Sequence, residues 1–200
     1  MKNSSNDSRT LLVIAKDQHG SSTRYRAGQF RDLLAAGGWE MIVLAVGDGQ
    51  ASRGKMLQMA RAADAVLVLR KTFGPLVTRL LKRTSKRLLF DFDDAIFVAS
   101  SGKSSRTRYS RFARMIRCCD QVWAGNRYLQ QQAEKLHGDV QLMPTVVDEQ
   151  KYALASQQPG REGWIDLVWI GSRSTRKYLQ TLIPVLNRLA EERSNIRLKI

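Results

Sequence analysis

Short apolar runs at residues 11–15, 41–46, 64–69, 88–92, 121–124 and 140–143 alternate with stretches of helical periodicity. That rhythm constrains the fold more than any other feature of the chain. A run of four to six apolar residues without polar alternation predicts a strand buried on both faces. Between the runs, helices are predicted at 25–36, 55–62, 75–82, 107–118 and 126–137. Strand–helix–strand units close as parallel crossovers. The expected fold is therefore α/β, a Rossmann-like doubly wound parallel sheet with helices on both faces. The punctuation agrees. Gly37-Gly38 and Gly138 follow predicted helices, Gly47-Asp48-Gly49 follows a strand, and Pro75 stands at a first helical turn.

The rhythm pauses once. Residues 149–163 include Gln157, Gln158, Pro159 and Gly160 and read as a linker. A strand at 165–170, a helix at 175–192 and a strand at 196–200 then restart the pattern. The expected organisation is a first domain over 1–148, a linker over 149–163 and the start of a second α/β domain over 164–200. Two strands do not bury their own faces. The chain is thus expected to be a truncated portion of a longer two-domain protein.

Charge narrows the choice of partner. The chain has 200 residues, with 33 Lys+Arg against 18 Asp+Glu, a net charge of +15. The surplus is spread over both halves and predicts an anionic partner: nucleic acid, membrane surface or phosphorylated ligand. A hydrophobic share of 43 % argues against disorder. No apolar run approaches the ~20 residues of a membrane span. The polar start, Met1 to Thr10, does not read as a secretory signal. Cys118 and Cys119 are adjacent, so no disulfide framework is expected and a cytoplasmic location is. With two histidines and no CxxC, neither a zinc site nor a cofactor is expected.

Four stretches could carry chemistry. After the first strand come Gly20, Ser22, Arg24 and Arg26, at a sheet edge where ligands bind, with glycine for close approach and arginines for an anion. Asp91, Asp93 and Asp94 end the fourth strand. They fit a DxD metal pair, a phosphatase nucleophile strand, or carboxylates that cap, pair with arginines or bind a substrate hydroxyl. The phosphatase reading fails because three strands precede the motif and Ala95 follows it. Next, Arg108, Arg111, Arg114 and Arg117 recur every third residue, with Tyr109, Phe112 and Ile116 on the opposite side. That is a basic amphipathic helix, suited to an anionic bilayer or to an ordinary core-facing position. Nucleic acid is disfavoured, because the aromatics are expected on the core side. Last, Gly171, Ser172, Arg173 and Lys177 follow the strand at 165–170, where backbone N–H groups can receive a diphosphate.

Taken together, the segments resemble the N-terminal half of GT-B-fold glycosyltransferases, the retaining kind called group 1 or family 4. The resemblance rests on Ser22-Thr23-Arg24-Tyr25-Arg26, on Leu89 through Phe97 with Asp91-Phe92-Asp93-Asp94, and on Val122-Trp123-Ala124-Gly125-Asn126. It continues through Met143-Pro144-Thr145 and Trp169-Ile170-Gly171-Ser172. It implies an acceptor-side N-terminal domain facing a nucleotide-sugar-binding C-terminal domain. It further implies transfer to a glycan or lipid-linked acceptor in cell-surface polysaccharide synthesis, with peripheral attachment to the inner face of the plasma membrane. Lys177 takes the place of the family's diphosphate lysine. The family's arginine falls at Ser172, leaving Arg173 as a shifted substitute. No metal is implied. The paired glutamates of the family would lie beyond Ile200, so no catalytic residue is assigned and these 200 residues alone are expected to be inactive. The alternative is an inactive module that binds anionic membrane or polyanion.

Overall fold

The computed structural model describes residues 8–47, 51–99, 101–150, 163–171 and 175–200. The chain divides into two compact units, Met1–Asp148 and Glu149–Ile200. In the first unit the strands are β1 (Arg9–Ala15), β2 (Trp39–Ala45), β3 (Ala65–Leu69), β4 (Leu88–Phe92), β5 (Gln121–Ala124) and β6 (Val140–Leu142). All pair in parallel, in the order β2-β1-β3-β4-β5-β6. This is the doubly wound Rossmann-like sheet that the alternation predicts.

Strand parity assigns the core. On β4, Leu88, Phe90 and Phe92 face one side and Leu89 and Asp91 the other. The first side is covered by α3 (Arg53–Ala62), α4 (Pro75–Thr84), α5 (Arg106–Cys118) and α6 (Arg127–Glu134). Phe112 of α5 meets Phe92 and Phe97 at centroid distances of 5.1 and 4.8 Å. The second side carries α1 (Ser21–Arg26) and α2 (Arg31–Ala36).

Two differences from the periodicity are informative. The single helix expected over 25–36 is two short helices joined by a 3-10 turn, Gly28–Phe30. The break falls at Ala27, whose φ of −138° leaves the helical region. Helix α1 also starts earlier, at Ser21, and Arg26 at its end is buried. As a result Leu33, expected on the core face, is exposed. On α5, Tyr109 is 47 % exposed instead of facing the core.

The second unit holds β7 (Ile165–Val168) and β8 (Ile196–Lys199), parallel to each other, and α7 (Arg176–Glu192). Among the described residues, no helix is long and apolar enough to cross a membrane.

Two carboxylates tie strand starts together. Asp64 accepts from the Thr10 N–H at 2.8 Å and from Lys86 Nζ at 2.7 Å. Asp120 accepts from the Leu88 N–H at 2.8 Å and pairs with Lys82. The Lys86 hydrogen bond and the Thr10 N–H hold Asp64 below its usual pKa. Burial pushes Asp120 up, but the Leu88 N–H and Lys82 outweigh it and hold it low as well. A lowered carboxylate contributes stability above the ordinary Asp value of about 3.9, and loses it as pH falls through the folded value. Urea midpoints are therefore expected to fall steeply below about pH 4. Asp120→Asn should flatten that pH slope, and an unchanged slope would remove Asp120 from the account.

Candidate active site

The strand order reverses between β1 and β3. In open α/β sheets the ligand crevice lies at that point, outside the carboxyl ends of the strands. A cavity of about 350 Å³ sits there, lined among others by Lys16, Gly20, Ser22, Arg70 and Lys71. The loop after β1 is held by its own polar groups. The His19 N–H donates to Asp17 Oδ1 at 2.9 Å, and Thr23 Oγ1 donates to the Asp17 carbonyl at 2.6 Å.

Arg70 closes the crevice. It follows β3 directly and its N–H still extends the ladder, donating to the Asp91 carbonyl at 2.8 Å. Its φ is +56°, the left-handed region that costs a non-glycine residue on the order of 1–3 kcal/mol. In that conformation its guanidinium donates to Ser22 Oγ at the start of α1 and to Asp94 beyond β4. Its Nε also lies 3.1 Å from Asp93 Oδ1. Asp93 Oδ1 is shielded from water and has that ion pair but no hydrogen-bond donor among the described residues. The charge of Arg70 compensates that oxygen, and the part of the Asp93 carboxylate still exposed, 23 % of the side chain, is what a ligand can meet. Gly125, after β5, frames the same carboxylate: a Cβ there would lie 2.7 Å from the Asp93 Cα.

Arg26 and Asp91 do different work. They form a two-pronged ion pair, Arg26 Nε to Asp91 Oδ2 at 2.9 Å and Nη2 to Oδ1. Their side chains are 4 % and 1 % exposed. Arg26 Nη1 also donates to the Met143 carbonyl at 2.5 Å and to Thr145 Oγ1 at 3.3 Å. Burial pushes Asp91 up in pKa, against the hydrogen bonds and charge of Arg26. Burial works to lower Arg26, yet the hydrogen bond and charge of Asp91 leave it raised. Each charge is kept by the other, and the pair joins α1, β4 and the segment after β6.

The remaining sequence candidates separate. Arg24 is exposed, with its guanidinium 4.8 Å from the Tyr25 ring centroid. Arg108 caps nothing but donates to the Val98 carbonyl at 3.0 Å. Arg111 and Arg117 are exposed and Arg114 is half-buried. The apolar side of that helix, Phe112, Met115 and Ile116, is fully buried in the core. It is therefore not free to enter a bilayer. In the second unit, Gly171 lies under the Trp169 ring, where a Cβ would be 2.3 Å from Cζ2. Lys177 Nζ stands 4.9 Å from the Tyr178 ring centroid. Ser172 and Arg173 lie outside the described residues. Among the described residues, no three His, Cys, Asp or Glu side chains converge as a metal site. Arg70 and Gly125 are the additions that geometry makes to this site. Arg70 opens an acid-free basic segment, residues 70–87, and no local signal announces its backbone.

No known protein family matches the chain, and no curated protein matches it. Solved structures similar to the chain include two of an alpha-glucosyltransferase in complex with UDP and a 13-mer DNA containing an HMU base. One has a TM-score of 0.53 at 12 % identity and covers 88 % of this chain and 52 % of that one. The other has a TM-score of 0.47 at 13 % identity and covers 72 % and 44 %. This chain therefore spans about half the length of the first of these. The likeness establishes the fold, which is Rossmann-like α/β of the GT-B glycosyltransferase type. It gives no support to family 4 in particular.

Removing one partner of a buried ion pair leaves the other charge unpaired. Asp91→Ala and Arg26→Ala are each expected to cost about 3–5 kcal/mol of unfolding free energy. The double variant Arg26→Met with Asp91→Leu should cost less than either. Denaturant titration of the three variants checks this, and additive losses would refute the pairing.

Proposed function

We propose that the chain is the acceptor-side domain, with the start of the donor-side domain, of a glycosyltransferase using a nucleotide-sugar. The carrying observation is the cluster at the strand-order reversal, where Arg70 in a strained backbone joins Ser22, Asp93 and Asp94 beside a cavity. Strain of this kind marks positions where the side chain is needed in one place. The GT-B-type fold supports the reading, and the part-exposed carboxylate of Asp93 supports a hydroxyl-bearing substrate. In this reading Asp93 orients the acceptor hydroxyl and takes up its proton as the glycosidic bond forms. Gly20, Ser22, Arg24 and Asp94 shape the acceptor loop, while Arg26 and Asp91 hold the scaffold beneath it. Gly171, Ser172, Arg173 and Lys177 receive the donor diphosphate, whose leaving charge needs preorganised donors. The resemblance favours a glycan or lipid-linked acceptor at a membrane face. The similar structures contain DNA, which adds nucleic acid as a second acceptor class.

The full-length protein is the material for the test. Incubation with a panel of nucleotide-sugars should release nucleoside diphosphate slowly, and faster with acceptor. Asp93→Asn should lower kcat about 100-fold with little change in donor KM. No response to any donor would end the proposal.

A further inference from the structure

The cations of α5 sit on a surface of a particular kind. Tyr109, Ser110, Ala113, Arg114, Arg117 and Cys118 line an open groove of about 510 Å³. Tyr109 stands in it half out of the protein, its ring backed by Phe112 at a centroid distance of 6.5 Å. On the opposite flank of the helix, Arg111 lines a second cavity of about 620 Å³ together with Arg53 and Lys71. Among the described residues, none of Arg53, Lys71, Arg111, Arg114 and Arg117 is in an ion pair. The acids that flank α5 in sequence have other partners, Asp94 with Arg70 and Asp120 with Lys82.

We infer that the outward face of α5 is a docking surface for a single-stranded nucleic acid, with Tyr109 stacking a base and Arg111, Arg114 and Arg117 taking phosphates. Three features favour this polymer over an anionic bilayer. The apolar stripe of α5 is consumed by the core, so it offers no wedge to hydrocarbon. The cations on the helix are all arginine, whose planar fork suits phosphate and stacks on bases. An exposed aromatic beside arginines, as Tyr109 shares its groove with Arg114 and Arg117, is an arrangement that binds unpaired strands without sequence preference. The three arginines rise about 4.5 Å per step while turning about 60° round the helix, a path that a flexible strand can wrap along. On α4, Leu76 and Leu80 are the exposed apolar residues that a bilayer would use instead. The inference does not depend on glycosyl transfer, and its test contains no donor.

The test is fluorescence anisotropy of the protein with a labelled oligothymidylate of about 20 nucleotides, longer than one small domain's site. The affinity should fall with salt, log K against log [salt] sloping about −2 to −3 for three or four phosphates. Arg111→Glu with Arg117→Glu should weaken binding about tenfold or more. The matched control, Lys135→Glu with Arg193→Glu, should stay within about twofold, since it removes equal charge elsewhere. Tyr109→Ala should weaken binding about fivefold or more at an unchanged salt slope. Circular dichroism of each variant confirms that it is folded. Equal losses in the two charge-reversed pairs would overturn the inference, as would an indifferent Tyr109→Ala. So would binding to phosphatidylserine vesicles that is lost in Leu76→Ser with Leu80→Ser while the oligonucleotide does not bind.

Discussion

The sheet of the first unit is organised around one buried ion pair. Asp91 belongs to a strand whose other residues are apolar, and its parity turns it to the side covered by α1 and α2. A carboxylate there without a partner would cost several kcal/mol. Arg26 reaches it only because α1 ends in a turn, and the third arm of the same guanidinium catches the backbone after β6. Thus three segments far apart in sequence share one charge balance. The crevice above is built on this clamp, since Ser22 lies on the helix that Arg26 anchors and Asp93 follows the strand that carries Asp91.

Such a clamp gives no more stability than apolar packing of the same volume. What it supplies is register. Arg26 bonds two oxygens of one residue and a carbonyl of another, and few placements of α1 meet all three demands. The Phe90, Phe92, Phe97 and Phe112 cluster on the opposite side of the sheet provides the hydrophobic drive without that directionality. Direction and driving force are thus divided between the two faces.

The architecture was legible because it rests on local signals. Buried strands are written as apolar runs, and every strand of the six-stranded sheet coincides with one. Asp91 through Asp94 stood out because adjacent carboxylates demand compensation. What supplies it was not legible. Arg70 lies 21 residues before Asp91 in a segment that looks only basic, and its left-handed backbone is imposed by the meeting of β3, β4 and α1. Tyr109 was misread for a related reason. Helical spacing gives a wide apolar arc, and the boundary between buried and open positions on it is drawn by neighbours, here by Phe112 taking the inner place.

Arg70 also separates two pressures on the chain. Glycine occupies a left-handed position without strain. Selection for a sturdier fold alone would therefore favour glycine at this position, while selection for the crevice demands a guanidinium. A residue that the fold would readily exchange and the site cannot spare is a marker of use. Under the proposed function, copies of this domain that keep the crevice keep arginine there, and copies kept only as scaffold are free to carry glycine.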